Sequence, residues 1–397
     1  MLHIKDVNNT MRITHICLVE GYTEGLNYQE NIIIKYQANE GHVVSLITTD
    51  HCFTEGVWGL CQTESDYVNS QGVRIIRLPF KCKVPYSLNR KIGVFAGTMK
   101  TLEELNPDVI FVHNVQFQDT SVIVKYKKKH PNVKIYVDNH SDFSNSARTW
   151  FSQNTLYRFW WKPCAKRLEP WVEMFFGVLP ARIDFLQNIY GISANKTDLL
   201  VMGADDECVE RAENPEVKKR VREQFHISED DFLIVTGGKI DAFKTQTLLL
   251  MEAVQNIKND KIKLLVFGSV EENLKERLLE LSDGEKVQYI GWAKGEQPYE
   301  YFAAADLVVF PGRHSVYWEQ VVAQGIPMLC KYWDGTTHVD IGGNVKFLYK
   351  DSTEEIQEKL EELLQYPEKY EQMKTAANGI GKEEFSYARI ARKSVGL

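Results

Sequence analysis

Short, nearly continuous apolar runs alternate with stretches of helical period along most of the chain. "RITHICLVEG" reads as a buried strand within Met11–Val19, after a loose leader of about ten residues. In "NYQENIIIKYQANEGH", Ile32, Ile33, Tyr36 and Gln37 recur at helical spacing and Gly41 marks the stop. "HVVSLITT" is the next strand, and "GVRIIRLPF" follows after a Gly-rich loop. "MKTLEELNPDVIFVHN" predicts helix, turn and strand, and "SVIVKYKKKHPNVKIYVDNHSD" repeats the plan, its lysines crowding a helix C-terminus where the dipole favours cations. The alternation pauses from Arg148 to Arg182 and resumes through "DLLVMGAD", "DFLIVTGG", "IKLLVFGS", "VQYIGW", "ADLVVFPG" and "IPMLCKY". "DSTEEIQEKLEELLQ" opens with a capping box, Ser352 with Glu355.

Apolar strands separated by helices predict parallel sheets covered on both faces. The expected class is α/β, two doubly wound Rossmann-like domains over residues 1–205 and 206–397, facing a cleft. The last helix is a candidate to return to the first domain. Ligands of such folds bind at the C-terminal ends of the strands, so the loops after strands are the places to look.

Composition narrows the partners. The 397 residues suit two domains, and 44% apolar with 25% charged content is that of a globular protein. A formal net charge of -7 argues against a nucleic-acid partner. No window reaches the apolar length of a membrane span and the start lacks a signal-peptide pattern. Seven scattered cysteines without CxxC spacing then predict reduced thiols in a cytoplasmic protein, with Cys17 a small buried hydrophobe.

Six loops carry candidate chemistry. "EGYTEGLNYQEN", after the first strand, has Gly21 and Gly25 before a helix; it suits an anion or sugar approaching backbone N–H groups, or is a plain turn. In "TGGKIDAFKTQTLLL", Lys239 follows Gly237–Gly238 and Lys244 precedes a helix, so two cations can hold a diphosphate from two sides; the plain alternative is two solvated lysines. In "VFPGRHSVYWEQVV", Gly312 permits a sharp turn and Ser315 is the expected N-cap of a helix through Trp318–Val322. The amides near Ser315 and Val316 suit phosphate oxygens, Arg313 and His314 add charge, and Glu319 suits a ribose diol; plain alternatives are an exposed helix glutamate and, for Trp318, a core aromatic. His113 and His140 end successive strands, each within reach of a substrate hydroxyl, and "TTHVDIGGNV" adds His338 and Asp340. The spacing shows no metal cluster, no GxGxxG, no P-loop and no nucleophile triad.

With those residues in place, nearly the whole chain resembles a GT-B glycosyltransferase of the retaining family 4 group, of the bacterial surface or capsular polysaccharide type. "YQANEGHVVSLITT" after Gly25 matches its opening motif. Gly238, Lys239, Ile240 and Lys244 match its diphosphate grip, with Lys in the Arg place. "YIGW" ending at Trp292 matches its base-binding turn, His140 its strand-end histidine, and "LLVMGAD" its hinge. The family's two glutamates fall here on Gly312 and Gln320, so the motif departs, and Glu319 is expected to take over the ribose contact. The resemblance implies transfer of a hexosyl or N-acetylhexosaminyl group, with retention and without a metal or other cofactor. The donor is a nucleotide-sugar and the acceptor a saccharide, with a polyprenyl-diphosphate-linked one in view. His140, Lys239, Lys244 and Glu319 are the expected catalytic set. A GT-B nucleotide-sugar epimerase and an inactive nucleotide-sugar-binding relative are the competing readings. The aromatic-basic segment Tyr157–Trp171 is expected to touch the inner face of a membrane, unless its rings pack the core.

Overall fold

The computed structural model describes residues 10–54 and 57–397. Apart from Thr10, the expected leader lies outside them. Two compact units divide the chain: Met1–Val201 with Tyr387–Leu397, and Met202–Ser386. The units part four residues before the sequence-based boundary.

The first unit contains β1 (Arg12–Cys17), β2 (Val43–Thr49), β3 (His51–Thr54), β4 (Val57–Leu60), β5 (Asp66–Val68), β6 (Arg74–Leu78), β7 (Val109–His113), β8 (Lys134–Asn139), β9 (Met174–Gly177) and β10 (Thr197–Leu199). Eight form one sheet in the order β10-β9-β8-β7-β1-β2-β6-β5. All its pairs are parallel except β5 with β6. Strands such as β7, Val-Ile-Phe-Val-His, are buried at every position, as a sheet covered on both faces requires. The helix Gln29–Asn39 buries Ile32, Ile33, Tyr36 and Gln37 as its period predicts. Tyr387, Ile390, Ala391 and Val395 of the last segment pack with Ile13, Ile33 and Tyr36 of this unit.

The second unit is regular: β11 (Phe232–Gly237), β12 (Ile262–Phe267), β13 (Val287–Gly291), β14 (Leu307–Phe310), β15 (Met328–Lys331) and β16 (Val345–Leu348). They form one parallel sheet in the order β13-β12-β11-β14-β15-β16. Ser352 caps the helix Thr353–Gln365 by accepting from the Glu355 amide. The Glu355 carboxylate turns instead to the amides of Tyr349 and Lys350.

In each sheet the chain runs outward on one side and then crosses to the other. The reversal falls between β1 and β7 in the first unit and between β11 and β14 in the second. Loops leaving strands at such a reversal diverge and open a crevice.

Two expectations need correction. The region read as a Gly-rich loop folds into the antiparallel pair β3–β4, and that hairpin brings Cys52 against Cys61 as a disulfide, so the thiols are not all free. The paused segment is helical from Trp150 to Trp171 and then forms β9 before the next helix starts at Pro180. Trp161, Cys164, Leu168, Phe185 and Tyr190 join the main core of the first unit, so part of the aromatic-basic stretch is packing.

Candidate functional site

In the second unit the loops after β11 and β14 meet. Gly237, Gly238, Lys239, Ile240, Lys244, Thr247, Phe310, Gly312, Arg313 and Ser315 line one pocket. Gly268 allows the close approach beneath it: its φ is +132°, and a Cβ there would lie 1.8 Å from the Gly238 carbonyl oxygen. Gly312 stands in a bend of the chain, where the sharp turn was expected. It is not among the left-handed glycines, and a Cβ would lie 3.2 Å from Gln246 Oε1 and 3.7 Å from Lys244 Cα.

Three cations share this pocket. Burial lowers the pKa of the Lys244 ammonium, Asp241 opposes that, and Lys239 and Arg313 push it further down. Lys239 Nζ lies 3.2 Å from Asp241, and the Arg313 guanidinium sits over the Phe243 ring at 5.0 Å. A bound anion would relieve the mutual repulsion of the cations.

The helix after β14, Tyr317–Ala323, starts later than expected. Val316 occupies its N-cap without a side-chain bond, and Ser315 Oγ is 3.5 Å from the Tyr317 amide, too long for a good cap. Glu319 is fully buried, which excludes the exposed helix glutamate, and Gln320 is buried too. His314 Nε2 and His338 Nε2 both reach Glu319 Oε1, at 2.8 and 2.9 Å. Burial would raise the Glu319 carboxyl, but His314 and His338 overcome this and hold it near 2. Trp292 is exposed at the end of the edge strand β13 and does not line the pocket.

In the first unit the loops after β1, β7 and β8 carry Glu20, Asn114 and His140. Asn114 adopts φ +63°. Its Nδ2 donates to Glu20 at 2.8 Å, its Oδ1 accepts from the His140 amide at 2.9 Å, and its own amide donates to Asp138 Oδ1 at 3.1 Å. Asp138 Oδ2 is 2.8 Å from His113 Nδ1 and 3.2 Å from His140 Nε2. His113 passes the chain on to His15 at 3.0 Å, then to Gln37 at 2.7 Å, then to Ser394 of the last helix at 3.0 Å. Burial would raise the Asp138 carboxyl, yet His113 and His140 hold it well below the usual carboxylate range. Burial would lower His140, but Asp138 and Glu20 carry it up to about 9. Burial first, and then Glu20, raise Glu30 to about 7. Gly25 has φ +80° in the loop before Glu30, with nothing near its Cβ position.

Sequence reasoning missed Glu20, Glu30, Asn114 and Asp138, although each stands beside a motif it singled out. It also found no metal-spaced cluster, whereas His113–Asp138–His140 and His314–Glu319–His338 each bring three ligand atoms within 4.8 Å of one another and could hold a divalent ion. Folding assembles both trios from distant positions, which spacing rules cannot see.

Residues 217–379, within the second unit, match the family described as glycosyl transferases group 1. No curated protein matches the sequence. Solved structures match over nearly the whole chain at low identity. A glycosyltransferase from Rickettsia africae gives a TM-score of 0.70 at 14% identity, covering 97% of both chains. HepE of Anabaena in complex with UDP gives 0.68 at 15%, covering 96% of this chain and 98% of that one. A UDP-GlcNAc 2-epimerase from Neisseria meningitidis bound to UDP-GlcNAc gives 0.60 at 14%, covering 96% and 97%. The fold is therefore GT-B, mixed α/β with two Rossmann-like domains.

Proposed function

We propose that this chain is a glycosyltransferase that moves a sugar from a nucleoside-diphosphate sugar to a saccharide acceptor. The observation that carries the reading is the gathering of Lys239, Lys244 and Arg313 around one glycine-lined pocket at the reversal of the second sheet. A diphosphate leaving group develops negative charge as the sugar departs, and preorganised cations in a partly desolvated site stabilise that change. The match to glycosyl transferases group 1 covers this same region, which supports the assignment.

The first unit offers different chemistry. Glu30, in the first turn of the helix Gln29–Asn39, puts the protein's own carboxyl where a phosphate would otherwise sit. Glu20, Asn114 and His140 instead suit sugar hydroxyls, so this unit takes the acceptor, and a polyprenyl-diphosphate-linked sugar is the class the resemblance suggests. Retention and independence from metal belong to the same reading. A nucleotide-sugar epimerase shares the fold, and Glu20 and Glu30 supply carboxyl groups such chemistry uses.

Lys244→Ala is expected to weaken UDP binding at least tenfold by calorimetry, since a charge-assisted hydrogen bond contributes roughly 1.5–3 kcal/mol. Unchanged affinity would remove the diphosphate grip from Lys244. In turnover assays with a panel of nucleotide-sugars, product should require a saccharide acceptor and persist with a chelator. Product from nucleotide-sugar and water alone would favour the epimerase, and no turnover would favour an inactive binding relative.

A further inference from the structure

Four exposed aromatic side chains of the first unit stand close in sequence and away from the cationic pocket. Trp150 is 77% exposed, Phe151 69%, Phe159 76% and Trp160 40%. A chain does not ordinarily leave two indoles and two phenyl rings in water within eleven residues; contiguous apolar surface of this kind marks an interaction site.

Helix winding explains how they come together. Trp150 and Phe159 are nine residues apart, as are Phe151 and Trp160. In an α-helix a separation of nine turns a side chain about 180°, to the opposite face. Ser152–Trp161 is instead wound as a π-helix. Its wider turn of roughly 4.4 residues brings positions nine apart back to one side. The same winding leaves Trp161 buried in the core as the anchor of the segment.

A second element extends the face. Trp160 Nε1 donates to the Lys91 carbonyl at 2.7 Å, which ties the segment to the end of the short helix Tyr86–Ile92. Val84 and Leu88 are exposed there as well. Lys81, Lys83, Arg90, Lys91, Arg148 and Arg158 are all exposed, and residues 81–92 and 148–168 contain no Asp or Glu. The sequence as a whole is acidic, at -7, so these two segments run against the sign of the chain.

We infer that this face of the first unit docks on an anionic lipid bilayer. Indole and phenyl rings settle at the headgroup level, and Lys and Arg close to the surface are drawn to anionic lipid. The face is short and irregular, so it lies on the bilayer rather than crossing it; no helix among the described residues is long and apolar enough to span one. Tyr86 and Arg90 also line a small cavity with Leu18, Thr49, Phe95 and Gln116 at the strand ends of this unit. On the acceptor reading above, docking would bring that cavity to the lipid surface.

The test is co-sedimentation of the full chain with vesicles of phosphatidylcholine alone or with phosphatidylglycerol added, without donor or acceptor, so its outcome is independent of the transferase reading. Wild type should pellet with the anionic vesicles, less so at about 0.5 M salt. The double variant Trp150→Ala/Phe159→Ala should partition at least about tenfold less, and Arg90→Glu/Lys91→Glu should lose the preference for anionic vesicles. Both pairs are exposed, so both variants should keep the wild-type melting temperature. Equal partitioning of wild type and variants overturns the inference. So does a vesicle-independent dimer, seen by sedimentation velocity, that the aromatic variant abolishes, because the face would then be covered by a second copy.

Discussion

Each unit holds one buried carboxylate against two histidines, and the two arrangements differ in what they leave open. Asp138 uses both oxygens, Oδ2 toward His113 and His140 and Oδ1 for the Asn114 amide. Its chain continues through His15 and Gln37 to Ser394, tying the last helix to the strand ends. Glu319 receives both its histidines on Oε1, while Glu319 Oε2, His338 Nδ1 and the neighbouring Trp318 Nε1 are buried without a hydrogen-bond partner. Buried polar atoms are nearly always paired, and leaving one open costs about 1–3 kcal/mol. In the first trio the buried atom without a hydrogen bond is His140 Nε2, which still stands 3.2 Å from the Asp138 charge; a network closed at its carboxylate is what a scaffold needs. An open one, whose His314 is flanked by the pocket residues Arg313 and Ser315, is what a ligand can complete.

The largest effect is expected where the network is closed. Asp138→Asn removes the charge that His113 and His140 face, and breaking a buried pair of this kind costs about 3–5 kcal/mol. A fall of that size in unfolding free energy, with UDP affinity retained, is the expected result from denaturant titration and calorimetry. A stability unchanged within error would mean that the trio is not the scaffold of the first unit.

How far the sequence reached follows the same division. The alternation of apolar strands and helices was legible because side-chain period and burial are local properties. The pocket cations were legible because Lys239, Lys244 and Arg313 stand directly after strands, where a doubly wound sheet collects its loops. The partners of each carboxylate were not. Asp138 faces His113 through the parallel register of β7 and β8, and Glu319 meets His338 nineteen residues on, both set by tertiary packing. Glu319 was expected at a ribose, with an exposed helix glutamate as the plain alternative; its helix is buried at every position from Trp318 to Ala323, which removes the exposed alternative and is set by tertiary packing. The π-winding that relocates the exposed aromatics from Tyr157–Trp171 to Trp150–Trp160 has no simple sequence period.

Glu30 sharpens the contrast between the carboxyl groups at the strand ends of the first unit and the cations that line the pocket of the second. Its folded pKa, about 7, lies above the ordinary glutamate value of 4.5, so the folded state binds the extra proton between those limits. Stability is then highest below about 4.5 as far as this group is concerned and falls as pH rises toward 7. The slope is at most about 1.4 kcal/mol per pH unit. Glu30→Gln should flatten this part of the stability profile and make the variant the more stable protein at pH 8. Parallel profiles for wild type and variant would place the titration elsewhere.

The smallest expected effect bears most directly on the open trio. Glu319→Gln keeps an acceptor for His314 and His338 but removes the charge that both imidazoles face. If the trio orients His314 for the donor, nucleotide-sugar affinity should fall by about tenfold, or about 1.4 kcal/mol, in addition to whatever unfolding free energy the buried charge contributes. Gln320→Ala supplies the control, because Gln320 stands at the family's glutamate position in the next phase of the helix. Loss of affinity in Gln320→Ala alone would assign the donor contact to that phase. A stability loss in Glu319→Gln without any change in affinity would make the second trio a scaffold like the first, and the open oxygen at Glu319 would then have no part in binding.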